Sequence, residues 1–284
     1  MCRHYCFRAN APTKVECTLI RAQNGLLSQS RADRRGQAHS DGWGVAVYEN
    51  GRPTVERRAV AAYEDLHFST TVERVYAETI VAHVRKATVG EPSLANTHPF
   101  THACWTFTHN GTVTGFHHLQ KRLIHETLPE LRGFRQGTTD SEQAFYWLLS
   151  RMARAGLSPE EPCRDLDGLA AVVAESVLTL AVLCEETSPA EPARLNILLT
   201  DGELTIASRW NNSLYWVRRE GTHDCEICGI PHVHERPAHD YRAVLVASEP
   251  VSDEQWQELP DRSLLAVDAE IRPQVRQIAA APSL

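Results

Sequence analysis

Cysteine stands at position 2, directly after Met1. A residue this small permits removal of the initiator methionine, which would leave a thiol and a free α-amine on one residue. An α-amine titrates at about 7.7–8.0. Near neutral pH it can therefore accept the thiol proton and produce the nucleophilic thiolate without a histidine partner. Attack on a carbonyl creates a negatively charged oxygen that needs fixed donors. His109-Asn110-Gly111 offers two, the Asn110 side-chain amide and the Gly111 N–H, and glycine also lets the backbone come close. In His83-Val84-Arg85-Lys86-Ala87-Thr88, Arg85 can hold a carboxylate through paired hydrogen bonds. In Thr138-Thr139-Asp140-Ser141-Glu142, Asp140 can pair with an ammonium group.

Each feature also has an ordinary structural reading. Cys2 can be a buried thiol, Asn110-Gly111 a hairpin turn, Arg85 a solvated surface charge and Asp140 an acid at a helix N-terminus. The turn and the oxyanion site are compatible. As a set, the positions describe one site. A free amino acid is a zwitterion, and its capture needs one fixed cation and one fixed anion. Arg85 and Asp140 supply them, Cys2 supplies the attack, and Asn110 with Gly111 the oxyanion donors. The chemistry is acyl transfer at an amide, with no cofactor and no metal in the catalytic set.

The elements that must position these residues follow from local pattern. Cys2–Phe7 reads as an opening strand, and Gly42–Tyr48 as another that ends in the Asn50-Gly51 turn. Glu78–Arg85 alternates as a strand with His83 and Arg85 on one face. Trp105–His109 is a further strand, closed by Asn110-Gly111. Thr139 and Glu142 form a capping box before the apolar spacing Ala144, Phe145, Leu148, Leu149 and Met152, and Gly156 and Pro159 stop that helix. A helix over Gly168–Ser176 and a strand over Leu178–Leu183 are expected next. Leu195–Leu199, the Asp201-Gly202 turn, Leu204–Ser208 and Ser213–Val217 read as an antiparallel meander, with Val244–Ala247 one more strand. Many antiparallel strands with a few helices indicate an α+β fold. No linker divides the chain, so one domain over residues 2–284 is expected, with a flexible tail from about 279.

Composition narrows the function classes. The 284 residues are 42% hydrophobic and carry a net charge of -7 with both signs interleaved, which argues against nucleic acid or an anionic membrane as the main partner. The N-terminus has no apolar run of signal-peptide length, and Leu169–Cys184, interrupted by Glu175, is too short to span a bilayer. A cytoplasmic protein is expected. Its eight cysteines are then thiols that are buried, reactive or metal-bound. Cys6, Cys17, Cys104, Cys163 and Cys184 read as core thiols, and Trp43 as core packing or pocket lining.

In this order, the segments MCRHYCF, SDGWGVA, HVRKAT, NTHPF, FTHNG and TTDSE resemble the class II glutamine amidotransferases, a branch of the N-terminal-nucleophile hydrolases. The likeness is greatest to stand-alone proteins without a synthetase domain. It spans Cys2 through the helix after Asp140, and continues more weakly to Asp201-Gly202 and Ala247-Ser248-Glu249-Pro250. The resemblance implies a four-layer αββα sandwich of two mainly antiparallel sheets. It implies Cys2 as nucleophile with its own amine as base, Arg85 on the glutamine α-carboxylate, Asp140 on the α-ammonium, and Asn110 and Gly111 as the oxyanion hole. The expected activity is cleavage of the γ-amide of glutamine, or of a γ-glutamyl compound, through a Cys2 thioester. Ammonia would pass to a separate synthetase acting in trans, or the enzyme would simply hydrolyse γ-glutamyl amides in a thiol-metabolite pathway. A catalytically silent amino-acid binder and an acylase for hydrophobic amides are further readings, the latter having no need of the zwitterion clamp.

A second cluster, His223, Cys225, Cys228, His232 and His234, has ligand types that suit zinc. Its spacing is tighter than the usual finger patterns. An inert thiol pair and a histidine-bearing loop that closes over substrate are the alternatives, and the spacing leaves all three open.

Overall fold

The computed structural model describes residues 2–222, 224–233 and 240–278. The expected tail from about residue 279, together with His223 and His234, lies outside them. In chain order the strands are β1 (Arg3–Lys14), β2 (Trp43–Glu49), β3 (Arg52–Arg58), β4 (Tyr76–Val84), β5 (Phe100–His102), β6 (Trp105–Thr112), β7 (Arg194–Thr200), β8 (Thr205–Arg209), β9 (Tyr215–Glu220), β10 (Arg242–Ala247), β11 (Gln257–Glu258), β12 (Ser263–Val267) and β13 (Pro273–Gln277). The helices are α1 (Leu26–Arg31), α2 (Leu66–Arg74), α3 (Phe116–Glu126), α4 (Pro129–Arg132), α5 (Asp140–Arg154) and α6 (Leu166–Thr187). One sheet runs β11-β9-β10-β1-β4-β2-β3, the other β13-β12-β8-β7-β6-β5. The paired strands of both are antiparallel.

Alternation along the strands builds the layers. In β1, Tyr5 and Phe7 face the cluster that includes Leu26 of α1 and Phe68 of α2, while Cys6 between them points to the other sheet. In β7, Leu195, Ile197 and Leu199 pack under α3, α5 and α6, while Leu198 joins Cys6, Val81, Val246 and Leu265 between the sheets. The result is the expected αββα sandwich. The Asn50-Gly51 hairpin also forms as expected, with both residues at positive φ, as a tight two-residue turn requires.

Four local readings change. Asn110-Gly111 is not a turn, because both residues stay in β6 and pair with Asn196 and Leu195 of β7. The expected helix and strand between 168 and 183 are one 22-residue helix, α6. By length and composition alone α6 could cross a bilayer, contrary to the sequence reading, but Leu169, Val173, Val177, Leu180 and Cys184 are buried in the core beneath the second sheet. The meander breaks after β8, since β9 joins the first sheet. β12 and β13, which close one edge of the second sheet, had no counterpart in the sequence reading. Trp43 is core: it packs edge-on against Phe68 and donates to Asp65.

Candidate active site

The β1–β4 register sets Arg3 opposite Val84 and His4 opposite His83, so Cys2 and Arg85 meet at one end of the first sheet. Cys2 Sγ lies 3.4 Å from both the carbonyl oxygen and the amide nitrogen of Lys86. The loop carrying Lys86 is fixed from the other side. Arg85 N–H donates to Gly42 O (2.7 Å), Asp41 N–H to Arg85 O (3.0 Å), and Ala87 N–H to the Asp41 carboxylate (2.7 Å). Gly44 in the same SDGWG segment is obligatory for a close approach: a Cβ there would stand 2.2 Å from His98 O. On the far side of Cys2, the buried Arg3 guanidinium holds the Cys2 carbonyl at 2.9 Å and is itself held by Asp33 (2.5 Å) and Glu249 (2.8 Å).

Burial pushes the Cys2 thiol above its ordinary value, and the Asp140 carboxylate adds to that shift; the Lys86 backbone and the Arg85 guanidinium oppose it. The sulfur therefore rests as a thiol at neutral pH and needs a base beside it. That Arg85 and Asp140 both act on this sulfur places the cation, the anion and the nucleophile in one electrostatic neighbourhood.

Arg85 is not the solvated charge of its ordinary reading. It is 2% exposed and donates to Val89 O (3.0 Å), Gly90 O (2.8 Å) and Glu91 O (3.4 Å). Three of its five N–H groups are thereby used to hold the 86–91 loop, and two remain for a ligand. Asp140 is the first residue of α5. It accepts from Val113 N–H (2.8 Å) and Ser141 N–H (2.9 Å), and its carboxylate retains further acceptor sites. Thr139 caps α5 through Glu142 N–H as expected, but the Glu142 carboxylate turns to the N–H groups of Gln136 and Gly137 instead of closing the box. Asn96, in the NTHPF segment, ties the two charged residues together: its side chain donates to Glu91 O (2.9 Å) and accepts from Thr138 N–H (2.7 Å).

Asn110 Nδ2 donates to Ser248 Oγ at 3.0 Å, and Ser248 Oγ accepts from His4 N–H at 3.0 Å, so the amide is two hydrogen bonds from the backbone of His4, two residues along from Cys2. Asn212 supports the Asn110 carbonyl (2.8 Å). Gly111 tolerates no side chain, since a Cβ would lie 1.8 Å from Arg194 O. Asn96, Ser248, Arg3 and Asp41 are positioning residues to which the sequence reading assigned no role, although all four lie in segments named for the family resemblance. A cavity of about 790 Å³ lined by Thr13, Cys17, Asn24, Arg219, His232 and Glu254 includes none of the Cys2 set. Size alone does not mark the reactive centre.

Beneath the site lies a group of buried histidines. The His83 and His98 rings lie with centroids 4.2 Å apart, tilted by 30°, and burial holds both far below their ordinary value. Burial likewise drives His4 down to about 3 and His39 to about 4, so the 3.4 Å His39–Asp33 contact is not an ion pair. Neutral in the fold and protonated near 6.5 when unfolded, these groups contribute stability that is complete above that pH. It is lost as pH falls toward their folded values, by about 1.4 kcal/mol per pH unit for each histidine. Urea midpoints are expected to drop steeply between about pH 6.5 and pH 4. A flat profile over that range, measured by tryptophan fluorescence, would contradict neutral burial.

The αββα sandwich of antiparallel sheets is the fold of the N-terminal-nucleophile hydrolases, and comparison with known proteins narrows it. The family described as "Glutamine amidotransferases class-II" matches residues 22–280. The "probable glutamine amidotransferase DUG3" of Saccharomyces cerevisiae is 30% identical, over 94% of this chain and 82% of its own length. The γ-glutamyl-hercynylcysteine sulfoxide hydrolase of Mycobacterium tuberculosis is 29% identical over 94% and 93% of the two chains. A solved "glutamine aminotransferase class-II domain protein" from Silicibacter pomeroyi shares the fold, with a TM-score of 0.65, 21% identity and coverage of 98% and 99%. This chain belongs to the class II glutamine amidotransferase family, and its chemistry is amide hydrolysis.

Proposed function

We propose that Cys2, exposed by removal of Met1, is the nucleophile of a γ-glutamyl amide hydrolase. The observation that carries this reading is the Cys2 sulfur held on the Lys86 backbone within the fields of both Arg85 and Asp140. The γ-carbonyl of the substrate sits beside Sγ, with the two free Arg85 N–H groups on its α-carboxylate and the open acceptor sites of Asp140 on its α-ammonium. The Cys2 amine takes the thiol proton, the thiolate bonds to the carbonyl carbon, and Asn110 Nδ2 with Gly111 N–H holds the oxyanion. The C–N bond breaks as the amine returns its proton to the departing nitrogen. Water then adds to the thioester, expelling the Cys2 sulfur and releasing glutamate.

The leaving group is the open variable. Ammonia from glutamine would serve a synthetase acting in trans. A larger amine would make the protein a γ-glutamyl hydrolase, the activity named for the mycobacterial relative. This chain is about equally similar to that hydrolase and to the probable glutamine amidotransferase of yeast, so substrate preference decides between the two leaving groups. We also place the protein in the cytoplasm, a reading supported by eight cysteines that are all free thiols.

A substrate comparison tests the proposal. Glutamine and γ-glutamyl dipeptides should both release glutamate, whereas Nα-acetylglutamine, which lacks the ammonium, should lose at least about tenfold in kcat/KM. Equal rates on the acetylated compound would remove Asp140 from its role, and no glutamate from any of them would remove the proposal.

A further inference from the structure

Four potential ligands that the fold gathers from two distant parts of the chain lie at the opposite end of β1 from Cys2. The sulfurs of Cys17, Cys225 and Cys228 and a ring nitrogen of His232 lie within 4.8 Å of one another. Cys17 opens a π-helical turn (Cys17–Arg21) just past β1, and its side chain is buried. The other three belong to the connection between β9 and β10. None of the sulfurs is in a disulfide. We infer that these four residues form a closed structural Zn²⁺ site of the Cys3His type, with Cys17 as the ligand that joins the β9–β10 connection to the end of β1.

Geometry and composition both point there. A tetrahedral zinc with Zn–S bonds of about 2.3 Å sets its ligand atoms about 3.8 Å apart, which the observed grouping accommodates. The Cys225–Cys228 segment is folded as a tight knuckle. Gly229 N–H donates to Cys225 O (2.7 Å), Cys225 N–H to Ile230 O (3.1 Å), and Ile227 N–H points at Cys225 Sγ at 3.4 Å. An amide aimed at a thiolate is the outer support that metal-bound sulfur receives. Cys228 Sγ lies 3.2 Å from His232 Nε2, so sulfur and imidazole converge on one point. A disulfide would employ two of the three sulfurs and leave the third with the imidazole unexplained.

The described part of the connection around these ligands buries little apolar surface. Among its described residues from 221 to 233 only Val233 is buried, and Ile227 and Ile230 are exposed. One backbone bond, Lys14 N–H to His232 O (3.2 Å), ties it to β1. A metal cross-link supplies what a hydrophobic core does not. β1 carries the cluster away from Cys2: its neighbour β4 runs from Tyr76, opposite Lys14, to Val84, opposite Arg3, a span of roughly 26 Å at about 3.3 Å per residue, so the metal has no part in amide cleavage. It clips together the far ends of β1 and β10, the two neighbouring strands that deliver Cys2 and Ser248 to the active site.

The whole chain, purified with reductant and without chelator, is expected to carry one zinc per molecule by elemental analysis. After removal of zinc with a mercurial and thiol rescue, Co²⁺ should produce the intense visible bands of tetrahedral thiolate coordination. Cys228→Ser, at an exposed position where folding is not at risk, should lose the zinc and weaken the cobalt bands, while Cys184→Ser, a core thiol in α6, should keep both. Glutaminase or γ-glutamyl hydrolase activity is a separate readout, so failure of the catalytic proposal leaves this one standing. A wild-type chain that holds no zinc and gives only the weak bands of octahedral cobalt overturns the site. So does a Cys228→Ser variant with full occupancy, or a Cys225–Cys228 disulfide in the protein purified under reductant.

Discussion

Cys2→Ala is expected to reduce glutamate release from glutamine and from γ-glutamyl dipeptides by at least about 10⁴-fold, to the level of binding and oxyanion stabilisation alone. The mature variant would keep the α-amine, the Arg85–Asp140 pair and the Asn110 amide. The loss would therefore measure the sulfur itself. Cys2→Ser separates nucleophile from base: the amine remains, but an alcohol is far less acidic than a thiol, so a small residual rate is expected. Folding should survive both changes, because among the described residues the Cys2 sulfur hydrogen-bonds to the Lys86 backbone and the substitutions are small. Circular dichroism and urea unfolding check that point. Intact mass supplies the companion test, since a chain that retains Met1 has a peptide nitrogen where the base should be and should be inactive. A wild-type rate in Cys2→Ala would end the catalytic reading.

Asn110→Ala is expected to lower kcat by about 10²–10³-fold, or about 2.7–4 kcal/mol, while KM changes little. In the proposed mechanism the amide stabilises charge that exists only during the reaction. Its one visible Nδ2 bond goes to Ser248 Oγ, which fixes the amide plane and leaves the second N–H to point elsewhere. Ser248→Ala therefore isolates positioning from donation. It removes the pin from Asn110 and the acceptor from His4 N–H, and is expected to cost roughly tenfold in kcat. If the two variants lose the same factor, Asn110 acts through Ser248 and is not the oxyanion donor. If Asn110→Ala raises KM and leaves kcat unchanged, the amide binds substrate in its ground state.

Much of the site's composition was legible from single residues. Cys2 is conspicuous by position, and Arg85, Asn110, Gly111 and Asp140 fall at element ends or inside motifs whose order resembles one family. The capping role of Thr139 and the Asn50-Gly51 hairpin follow from rules that act within a few residues. Other assignments needed the fold. Asn110-Gly111 has the commonest turn composition, yet β7 lies alongside, and pairing with Asn196 and Leu195 holds both residues extended. Residues 178–183 alternate well enough for a strand, but as part of α6 they bury Leu180, Ala181 and Leu183 against the second sheet. Arg85 looks like a surface charge until the 89–91 carbonyls fold over it. Cys17 reads as an isolated core thiol, and only the return of the β9–β10 connection, more than 200 residues later, sets it beside Cys225, Cys228 and His232.

The sequence by itself determined the proposed reactive atoms, the charge types available to an amino acid, the α+β class and the local turns and caps. These depend on side-chain chemistry and on backbone preferences that operate over a few positions. Tertiary structure alone decided the β1–β4 register that sets Cys2 beside Arg85, the Ser248 link that aims Asn110, and the gathering of three thiols and an imidazole. Such arrangements arise from burial and strand pairing between segments far apart in the chain, and no local spacing encodes which distant partner a strand will meet.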